Sequence, residues 1–371
     1  MLAQPDRQAP AAEAAAPAPA KPRPKVGLVL SGGGARGLTH VGVLEVLHEM
    51  RIPIDYIAAT SMGAIVGGLY ASGMTPDAMQ RHLGAVSWPT LLSDSPPRQD
   101  VAFRRKEEVS AFPLGFELGY SDGQILWFKG ALSGSNLELF LHELTRSVDT
   151  INDFDKLPIP FRAVATNMVN GKEVVFDRGR LYHAMRASMS VPGMFAPLEL
   201  DGKIYGDGGL VNNLPVDVVR AMGAEVVIAV NIGTPLMSRD QLQSVAGYAT
   251  QMINILTEQN VRAQLAQLRP GDILISPDLG NLTFIDFAAA PRFVELGREA
   301  AEAMRPQLAA LADTPASFAA RGKRDVAPPL PERLDFVTIE GTKRANPDVL
   351  EEQMRTREGG PLDMKVLEGD L

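Results

Sequence analysis

The chain contains no cysteine among its 371 residues. Disulfides and thiolate zinc sites are therefore excluded. Positive charge is also scarce, because 36 lysine and arginine residues stand against 44 aspartate and glutamate residues, and the formal net charge is −8. No long basic run interrupts this balance. The charge pattern therefore argues against nucleic acid as a partner.

A cleavable export signal is not visible at the start of the chain, since no basic segment is followed by an apolar one. Residues 1–24 are instead rich in proline and alanine, which is typical of a disordered tail. Such a tail resembles the mature N-terminus that follows a removed signal. The absence of cysteine is compatible with export. We therefore expect an exported protein.

Residues 57–74 (IAATSMGAIVGGLYASGM) form an uncharged stretch that approaches the length of a membrane span. The stretch contains four glycines and Ser61, and its composition changes from strand-like to helix-like. It therefore favours a short strand, a turn and a buried helix over a membrane-spanning helix.

From residue 25 to about residue 311, apolar strand patterns alternate with helical patterns. Such alternation predicts an α/β fold with a mostly parallel central sheet and helices on both faces. The predicted strands are 26–30, 56–60, 161–168, 172–176, 225–232 and 272–277. The predicted helices are 39–50, 62–71, 76–83, 136–145, 181–187, 215–222, 241–268 and 291–311.

Composition divides the chain into four parts. These are a tail (1–24), the α/β domain (25–312), a proline-containing linker (313–333) and a C-terminal fragment (334–371). The fragment predicts a strand, a turn and a helix, with Asn346 as N-cap and Pro347 at the first helical position. It is too short for an independent domain, so we expect a truncated second module.

The first predicted strand ends in a glycine loop that matches G-x-G-x-x-G at Gly32, Gly34 and Gly37. A dinucleotide site also needs an acidic residue at the end of the second strand. Asp55 lies before that strand, whereas Ser61 follows it, so the dinucleotide fingerprint fails. The phosphate-binding P-loop fails too, because no Gly-Lys-Ser/Thr follows. The loop N–H groups remain suited to holding an oxyanion.

Ser61 follows the second strand in the pattern Ala59-x-Ser61-x-Gly63. This pattern is typical of a nucleophile elbow, with alanine in place of the first glycine. The alternative is an ordinary N-cap serine.

The base that such a serine needs is not obvious among the five histidines (His40, His48, His82, His142, His183). None of them ends a predicted strand or opens a turn. Asp207 follows a short strand and precedes Gly208 and Gly209, so it is the other candidate base. The alternative for Asp207 is an ordinary Asp-Gly turn.

Four motifs together resemble the patatin-like phospholipase family: SGGGARG (31–37), TSMG (60–63), RASMSVPGMFAP (186–197) and DGGLVNNLP (207–215). The resemblance implies a three-layer patatin-like fold with a Ser–Asp dyad. In this sequence the nucleophile is then Ser61 and the base Asp207. The implied oxyanion hole is Gly32, Gly33 and Gly34, and the supporting motif residues are Arg36, Gly37, Gly63, Gly208 and Gly209.

The same resemblance implies a phospholipase A or lysophospholipase that cleaves fatty acyl esters through an acyl-enzyme, without a cofactor. No metal is expected, because the sequence lacks a D-x-D-x-D-G calcium loop. The alternatives are a broad lipase or esterase on neutral lipids, and a non-catalytic lipid- or phosphoinositide-binding module.

The expected partners are phospholipid membranes, with anionic lipids or phosphoinositides as candidates. Residues 84–135 carry many aromatic side chains beside Arg98, Arg104, Arg105 and Lys106. This segment predicts either a lid or acyl-chain wall facing anionic headgroups, or ordinary core packing. The apolar positions of helix 241–268 predict either core packing or a homodimer face.

The linker and C-terminal fragment resemble the junction between the passenger and the POTRA module of type Vd autotransporters. This resemblance implies a protein that a Gram-negative bacterium exports through the periplasm and outer membrane, as a secreted or cell-surface protein. It also implies that residues 334–371 are part of a POTRA-like module.

Overall fold

The structure, a computed structural model, describes residues 23–92, 119–121, 124–126, 132–233, 235–321, 333–339, 346–361, 366 and 370. Most of the predicted tail, and most of the aromatic segment with its four basic residues, lie outside the described residues. Trp88 of that segment is described. It is buried and stacks on Phe287 with ring centroids 4.6 Å apart, so it belongs to the core.

One mixed eight-stranded sheet organises the domain. Its order is β10-β9-β1-β2-β5-β8-β7, and β6 also pairs with β5. The strands are β1 (Val26–Leu30), β2 (Tyr56–Thr60), β5 (Phe161–Asn167), β6 (Lys172–Phe176), β7 (Leu198–Leu200), β8 (Lys203–Asp207), β9 (Val226–Val230) and β10 (Ile273–Ile275); β3 (Gly119–Ser121) and β4 (Gln124–Leu126) form a separate pair.

The predicted parallel sheet is confirmed for β10, β9, β1, β2 and β5. The remaining edge is antiparallel, because β6 and β8 both run against β5, and β7 runs against β8. Strand β7 was absent from the prediction. It forms a hairpin with β8 through Asp201 and Gly202, which both have positive φ (51° and 72°). The Asp-Gly pair is a strong hairpin signal that the sequence analysis missed.

The helices in the described part of the chain are α1 (Thr39–Glu49), α2 (Met62–Ala71), α3 (Pro76–Ala85), α4 (Trp88–Leu91), α5 (Ser135–Thr145), α6 (Leu181–Ser188), α7 (Val216–Ala221), α8 (Val245–Leu265), α9 (Ala290–Ala303), α10 (Arg305–Leu308), α11 (Pro315–Arg321) and α12 (Pro347–Gln353). Those that pack against the sheet lie on both of its faces.

Alternate residues of β1 face two separate cores. Leu28 and Leu30 pack with α1, α2 and α9, whereas Val29 packs with α7 and α8. This alternation follows from the two-residue period of a strand and makes the domain three-layered, as predicted. Residues 57–74 are β2, a turn and α2, also as predicted. Among the described residues, no helix is long and apolar enough to cross a membrane.

Two predicted helices differ from the structure. The helix predicted for 241–268 starts later, at Val245, where the hydroxyl of Ser244 caps it by accepting from the Gly247 N–H at 3.0 Å. The helix predicted for 291–311 is split into α9 and α10, followed by a 3₁₀ turn. Pro306 lies just after the break, and proline both lacks an N–H donor and crowds the preceding turn.

Near the C-terminus, the strand predicted within the fragment is wrong for residues 334–339, which contain no strand. Arg333 forms only an isolated bridge with Pro361. The predicted helix is present as α12, with Pro347 at its first position as predicted. The first part of the predicted linker contains α11, whose Phe318 packs edge-on against His48 at 5.3 Å.

Candidate active site

Ser61 occupies a sharp turn between β2 and α2. Its backbone has φ 55° and ψ −127°, a conformation that residues other than glycine rarely adopt. Gly63 allows the turn to approach β1, since a Cβ there would lie 2.5 Å from the Leu30 carbonyl oxygen. The methyl group of Ala59, which departs from the usual motif, faces Gly67 of α2. A glycine partner therefore accommodates the extra carbon.

The Ser61 hydroxyl donates a hydrogen bond to Asp207 Oδ2 at 2.6 Å, and both residues are buried. It makes no capping hydrogen bond to α2, so the N-cap alternative does not describe its geometry. The Ser61 N–H donates to the Ser188 hydroxyl at 2.8 Å, which in turn donates to the Val164 carbonyl. These bonds hold the strained turn in place.

Asp207 ends β8 at the sheet edge where β1 and β2 also end. Its Oδ1 accepts from the Gly209 N–H at 2.6 Å, which leaves Oδ2 for Ser61. Burial raises the pKa of Asp207 from 3.8 to about 6, although the bonds from Ser61 and Gly209 oppose the rise. A carboxylate with a raised pKa is a stronger base, which suits proton removal from a hydroxyl.

The glycine loop lies beside this pair. The Gly32 N–H is directed at the backbone and side-chain oxygens of Asn213, at 3.3 and 3.2 Å. For the N–H groups of Gly33 and Gly34 the described part of the chain supplies no hydrogen-bond acceptor. A 3₁₀ turn that begins at Gly34 leads directly into α1, so the loop sits at a helical N-terminus. Gly33 and Gly34 are thus the loop donors available for an anion.

The other motif residues support the loops from behind. Arg36 is buried and donates from Nη2 to the Ile232 carbonyl at 2.7 Å, and burial lowers the pKa of its guanidinium. Gly37 lies against Met62, and Gly208 lies against the Val164 carbonyl.

The histidines occupy other environments. His142 and His183 contact Asp149 and Glu138, at 3.8 and 3.2 Å. His40 is buried, its Nε2 donates to the Ser31 carbonyl at 2.8 Å, and burial lowers its pKa to about 4. None of these three is hydrogen-bonded to Ser61 among the contacts that the structure describes.

Asp55 lies at the amino end of β2, at the edge of the sheet opposite Ser61. It forms a two-pronged ion pair with Arg23, with N–O distances of 2.6 and 2.7 Å. A dinucleotide site would need an acidic residue at the carboxyl end of this strand, so Asp55 does not fit that role.

Sequence reasoning missed the residues that hold the backbone of Asp207 through intermediate hydrogen bonds. Arg186 is fully buried and donates to the Ser190 hydroxyl and to the Ser133 carbonyl, both at 2.7 Å. The Ser190 carbonyl accepts from the Asp207 N–H at 2.9 Å. The motif RASMSVPG contains Arg186, Ser188 and Ser190 together, so the signal was present as a motif without a role.

A family model described as "Patatin-like phospholipase" matches residues 28–220, more than half of the chain. The chain belongs to the patatin-like phospholipase family. The match includes the glycine loop, the Ser61 turn and the Asp207 turn.

An uncharacterized NTE family protein of Mycobacterium tuberculosis is 33% identical over 56% of this chain and 49% of its own length. A protein named lysophospholipase NTE1, from Candida glabrata, is 30% identical over 78% of this chain and 16% of its own length. This patatin-like chain thus spans less than half of the length of each of these two relatives. The solved structure of VipD from Legionella pneumophila aligns with 77% of this chain and 67% of that chain, at 15% identity and a TM-score of 0.39.

Within the described residues of this patatin-like domain, no group of three or more histidine, aspartate or glutamate side chains is placed to hold a metal ion.

Proposed function

We propose that this protein is a phospholipase A or lysophospholipase that cleaves fatty acyl esters through a Ser61–Asp207 dyad. The observation that carries the proposal is the 2.6 Å hydrogen bond from Ser61 to a buried carboxylate, at a strained strand-to-helix turn. Membership of the patatin-like phospholipase family supports the same reaction class.

In the proposed first step, Asp207 Oδ2 takes the proton from the Ser61 hydroxyl, and the serine oxygen attacks the ester carbonyl carbon. The oxyanion that forms is held by the N–H groups of Gly33 and Gly34. Collapse of this intermediate breaks the ester C–O bond, and Asp207 returns the proton to the leaving alcohol. Water, activated by the same carboxylate, then releases the fatty acid from the acyl-enzyme.

The N-terminal half of α8 supports a membrane as the source of substrate. From Val245 to Thr257 it carries no charged residue, and its exposed face is apolar. We name this face the α8 stripe and define it by Tyr248, Met252, Ile255 and Leu256, whose exposed fractions are 60%, 66%, 39% and 46%. A continuous apolar face of this kind is typical of an interaction surface.

The direction of α8 places the stripe on the catalytic side of the sheet. Thr257 and Asn260 contact the Gly209 carbonyl beside Asp207, whereas Asp272, which follows the helix, contacts Val227 at the opposite edge. The first three turns of α8 therefore extend past the catalytic edge. We infer that the stripe rests on the phospholipid surface while an acyl ester enters the site.

A homodimer is the other proposal for the same stripe, since a second copy of the chain would also cover an apolar face. Anionic lipids or phosphoinositides remain proposed partners that depend on Arg98, Arg104, Arg105 and Lys106. These four residues lie outside the described part of the chain.

The proposed location is the cell surface or the medium of a Gram-negative bacterium, as a type Vd autotransporter passenger resembling the secreted patatin-like protein PlpD. Support for this comes from the proline-rich tail and from the fragment after residue 333. Fractionation of cells that express the full-length gene product tests the location directly.

Two other functions compete with the proposal. A lipase or esterase on neutral lipids would use the same dyad, and comparison of phospholipids, triacylglycerols and short esters separates it. A non-catalytic lipid-binding module needs no dyad at all. The 2.6 Å bond between Ser61 and Asp207 favours catalysis over this alternative.

The decisive test is fatty acid release from phosphatidylcholine vesicles in excess chelator, by the parent, Ser61→Ala and Asp207→Asn proteins. We expect an active parent and a loss of several orders of magnitude in both variants. Near-parent activity of Asp207→Asn would place the base elsewhere and bring back His142 and His183. An inert parent that still binds vesicles would favour the binding module.

A further inference from the structure

The side-chain amide of Asn260 on α8 uses both of its polar atoms on the loop that follows Asp207. Its Nδ2 donates to the Gly209 carbonyl at 2.9 Å, and its Oδ1 accepts from the Asn213 N–H at 2.8 Å. Asn260 lies outside residues 28–220, the part that the family model matches.

On one side of this amide is the residue that orients the carboxylate. The Gly209 N–H donates to Asp207 Oδ1 at 2.6 Å and so leaves Oδ2 facing Ser61. The Gly209 carbonyl is held by Asn260 and also by the Thr257 hydroxyl, at 3.1 Å. Because its carbonyl is held, Gly209 has less freedom in its backbone torsion angles. The direction of its N–H is therefore restricted as well.

On the other side is the glycine loop. Asn213 Oδ1 accepts from the Gly32 N–H at 3.2 Å, and Asn213 Nδ2 donates to the Gly32 carbonyl at 3.3 Å. A Cβ on Gly32 would lie only 2.5 Å from Asn213 Oδ1, so the amide packs directly on the glycine backbone. The next two residues are Gly33 and Gly34, which carry the proposed oxyanion donors.

We propose that Asn260 is a positioning residue that fixes the Asp207 carboxylate and the Gly33–Gly34 donors relative to each other. The inference rests on the proposed acyl hydrolase function. Its physical basis is that α8 is a long helix, and a side chain on a rigid element holds two loops to one geometry better than the loops hold each other. Hydrogen-bonded chains of this kind are also cooperative, so that the loss of one member weakens the rest.

The first test uses hydrogen exchange, which does not depend on activity. Exchange is measured by mass spectrometry for peptides that cover residues 31–37 and 207–213, in the parent, Asn260→Ala, Asn260→Asp and Asn254→Ala. Asn254 is a matched control, because it lies on the same helix and also donates to a backbone carbonyl, that of Pro235 at 3.3 Å.

We expect Asn260→Ala to speed exchange about fivefold in both peptides, which corresponds to about 1 kcal/mol for one lost hydrogen bond. The two lost bonds anchor residues 207–213 directly, and they reach residues 31–37 through the side chain of Asn213. Asn260→Asp keeps the acceptor for Asn213 and loses the donor to Gly209, so it is expected to loosen 207–213 more than 31–37. Asn254→Ala should leave both peptides unchanged. Unchanged exchange in either peptide of Asn260→Ala would overturn the coupling.

The second test measures kinetics on p-nitrophenyl butyrate, a soluble ester, across pH. We expect Asn260→Ala to lower kcat about tenfold with KM unchanged. We also expect the acid limb of its profile to move to higher pH, because a looser Gly209 N–H stabilises the Asp207 carboxylate less. A fall in kcat without movement of the limb would contradict the role at Asp207. If exchange changes as expected and the parent hydrolyses no ester, the proposed function fails and the coupling stands.

Discussion

At the scale of single residues, Asp207 carries two opposing requirements. In the proposed reaction it must be ionised to accept the Ser61 proton, yet it is buried, and burial penalises the ionised form. The outcome is a pKa of about 6, with two hydrogen bonds, from Ser61 and Gly209, retaining part of the acidity. The raised pKa of Asp207 therefore determines the pH dependence of the proposed reaction and also lowers the stability of the folded state.

The reaction should lose rate as the pH falls through about 6, because protonated Asp207 accepts no proton from Ser61. Above that value the carboxylate is ionised and kcat/KM is expected to reach a plateau. The measurement is kcat/KM for a soluble ester between pH 4 and pH 9, which reports the free enzyme. A limb near the ordinary value of 3.8 would contradict the burial effect, and a limb from a histidine would persist in Asp207→Asn.

The stability of the folded protein depends on pH in the opposite direction to the rate, and it falls as the pH rises. A carboxyl group whose pKa rises on folding, from 3.8 to about 6, destabilises the folded state at every pH above about 6. The penalty disappears as the pH falls below about 4, where both states are protonated. The difference between the pKa values in the folded and unfolded states corresponds to roughly 3 kcal/mol.

Asp207→Asn should therefore raise the midpoint of thermal unfolding at pH 8 by a few degrees while it abolishes activity. The asparagine keeps an acceptor for Gly209, and its amide donates to Ser61. The gain should shrink to zero near pH 4, and Asp217→Asn, at a residue with no part in the proposed chemistry, serves as control. A midpoint that falls at pH 8 would show that the Ser61–Asp207 bond outweighs the burial cost.

Local patterns made Ser61 and Asp207 candidates, because Ser61 follows a recognisable strand and Asp207 ends one, both beside glycines. The patterns alone left an N-cap serine and an Asp-Gly turn as alternatives, and the family resemblance paired the two residues. The structure places their side chains 2.6 Å apart. Asn260 gave no such signal, because it lies in the middle of a helix with no motif around it. Its contacts depend on how α8 crosses the sheet edge, which is set by tertiary packing rather than by local sequence.

At the scale of elements, the parallel half of the sheet was predictable because its strands are short apolar runs buried on both faces. The β7–β8 edge was harder, since β7 is only three residues long and only partly buried. The break between α9 and α10 was missed because the helical spacing of apolar residues continues across Pro306. The spacing of apolar residues does not reveal that Pro306 lacks the backbone N–H that an uninterrupted helix needs.

The crossing of α1 and α9 depends on two glycines. A Cβ at Gly297 would lie 2.0 Å from the Thr39 carbonyl oxygen, and a Cβ at Gly42 would lie 1.9 Å from that of Val294. The backbones of the two helices are therefore in direct contact. Because the 3₁₀ turn Gly34–Leu38 leads straight into α1, this contact also fixes the helix behind the glycine loop.

Gly297→Ala should destabilise the protein by about 2 kcal/mol or more, since overpacking a rigid contact forces the helices apart. The matched control is Gly84→Ala in α3, where an added Cβ meets no atom within 4 Å. There we expect a gain of about 0.5–1 kcal/mol, from the better helix propensity of alanine. Denaturant unfolding measures both, and an unchanged midpoint for Gly297→Ala would mean that the crossing is looser than the structure shows.

At the scale of the whole molecule, the proposed Ser61–Asp207 dyad, the glycine loop and the α8 stripe all lie at the same edge of the sheet. The parallel strands β1 and β2 bring Ser61 and the glycine loop to the same edge, because both chains leave the sheet at their carboxyl ends. The antiparallel strand β8 carries Asp207 to the same place, with its partner Ala165 near the carboxyl end of β5. In the described part of the chain, this arrangement gathers the proposed reactive groups on one side, which we propose approaches the lipid surface.

Met252→Glu combined with Leu256→Glu should lower phospholipid hydrolysis on phosphatidylcholine vesicles at least tenfold. Each apolar side chain contributes about 1.5–3 kcal/mol when it leaves water, and a glutamate in its place is repelled from the lipid interior. Hydrolysis of a soluble short-chain ester should stay unchanged, because neither residue contacts Ser61 or Asp207. The control is Gln259→Glu combined with Ala263→Glu, which adds the same charge to exposed positions further along α8.

Two measurements, vesicle flotation and molar mass in solution, distinguish the two partners proposed for the α8 stripe, a phospholipid surface and a second copy of the chain. Loss of vesicle binding by an otherwise unchanged monomer assigns the stripe to the lipid surface. If the double variant instead converts a dimer to a monomer and keeps full activity on vesicles, the stripe is a contact between copies. Lipid docking then fails while the dyad chemistry remains, because the reactive side has to reach the bilayer through other residues.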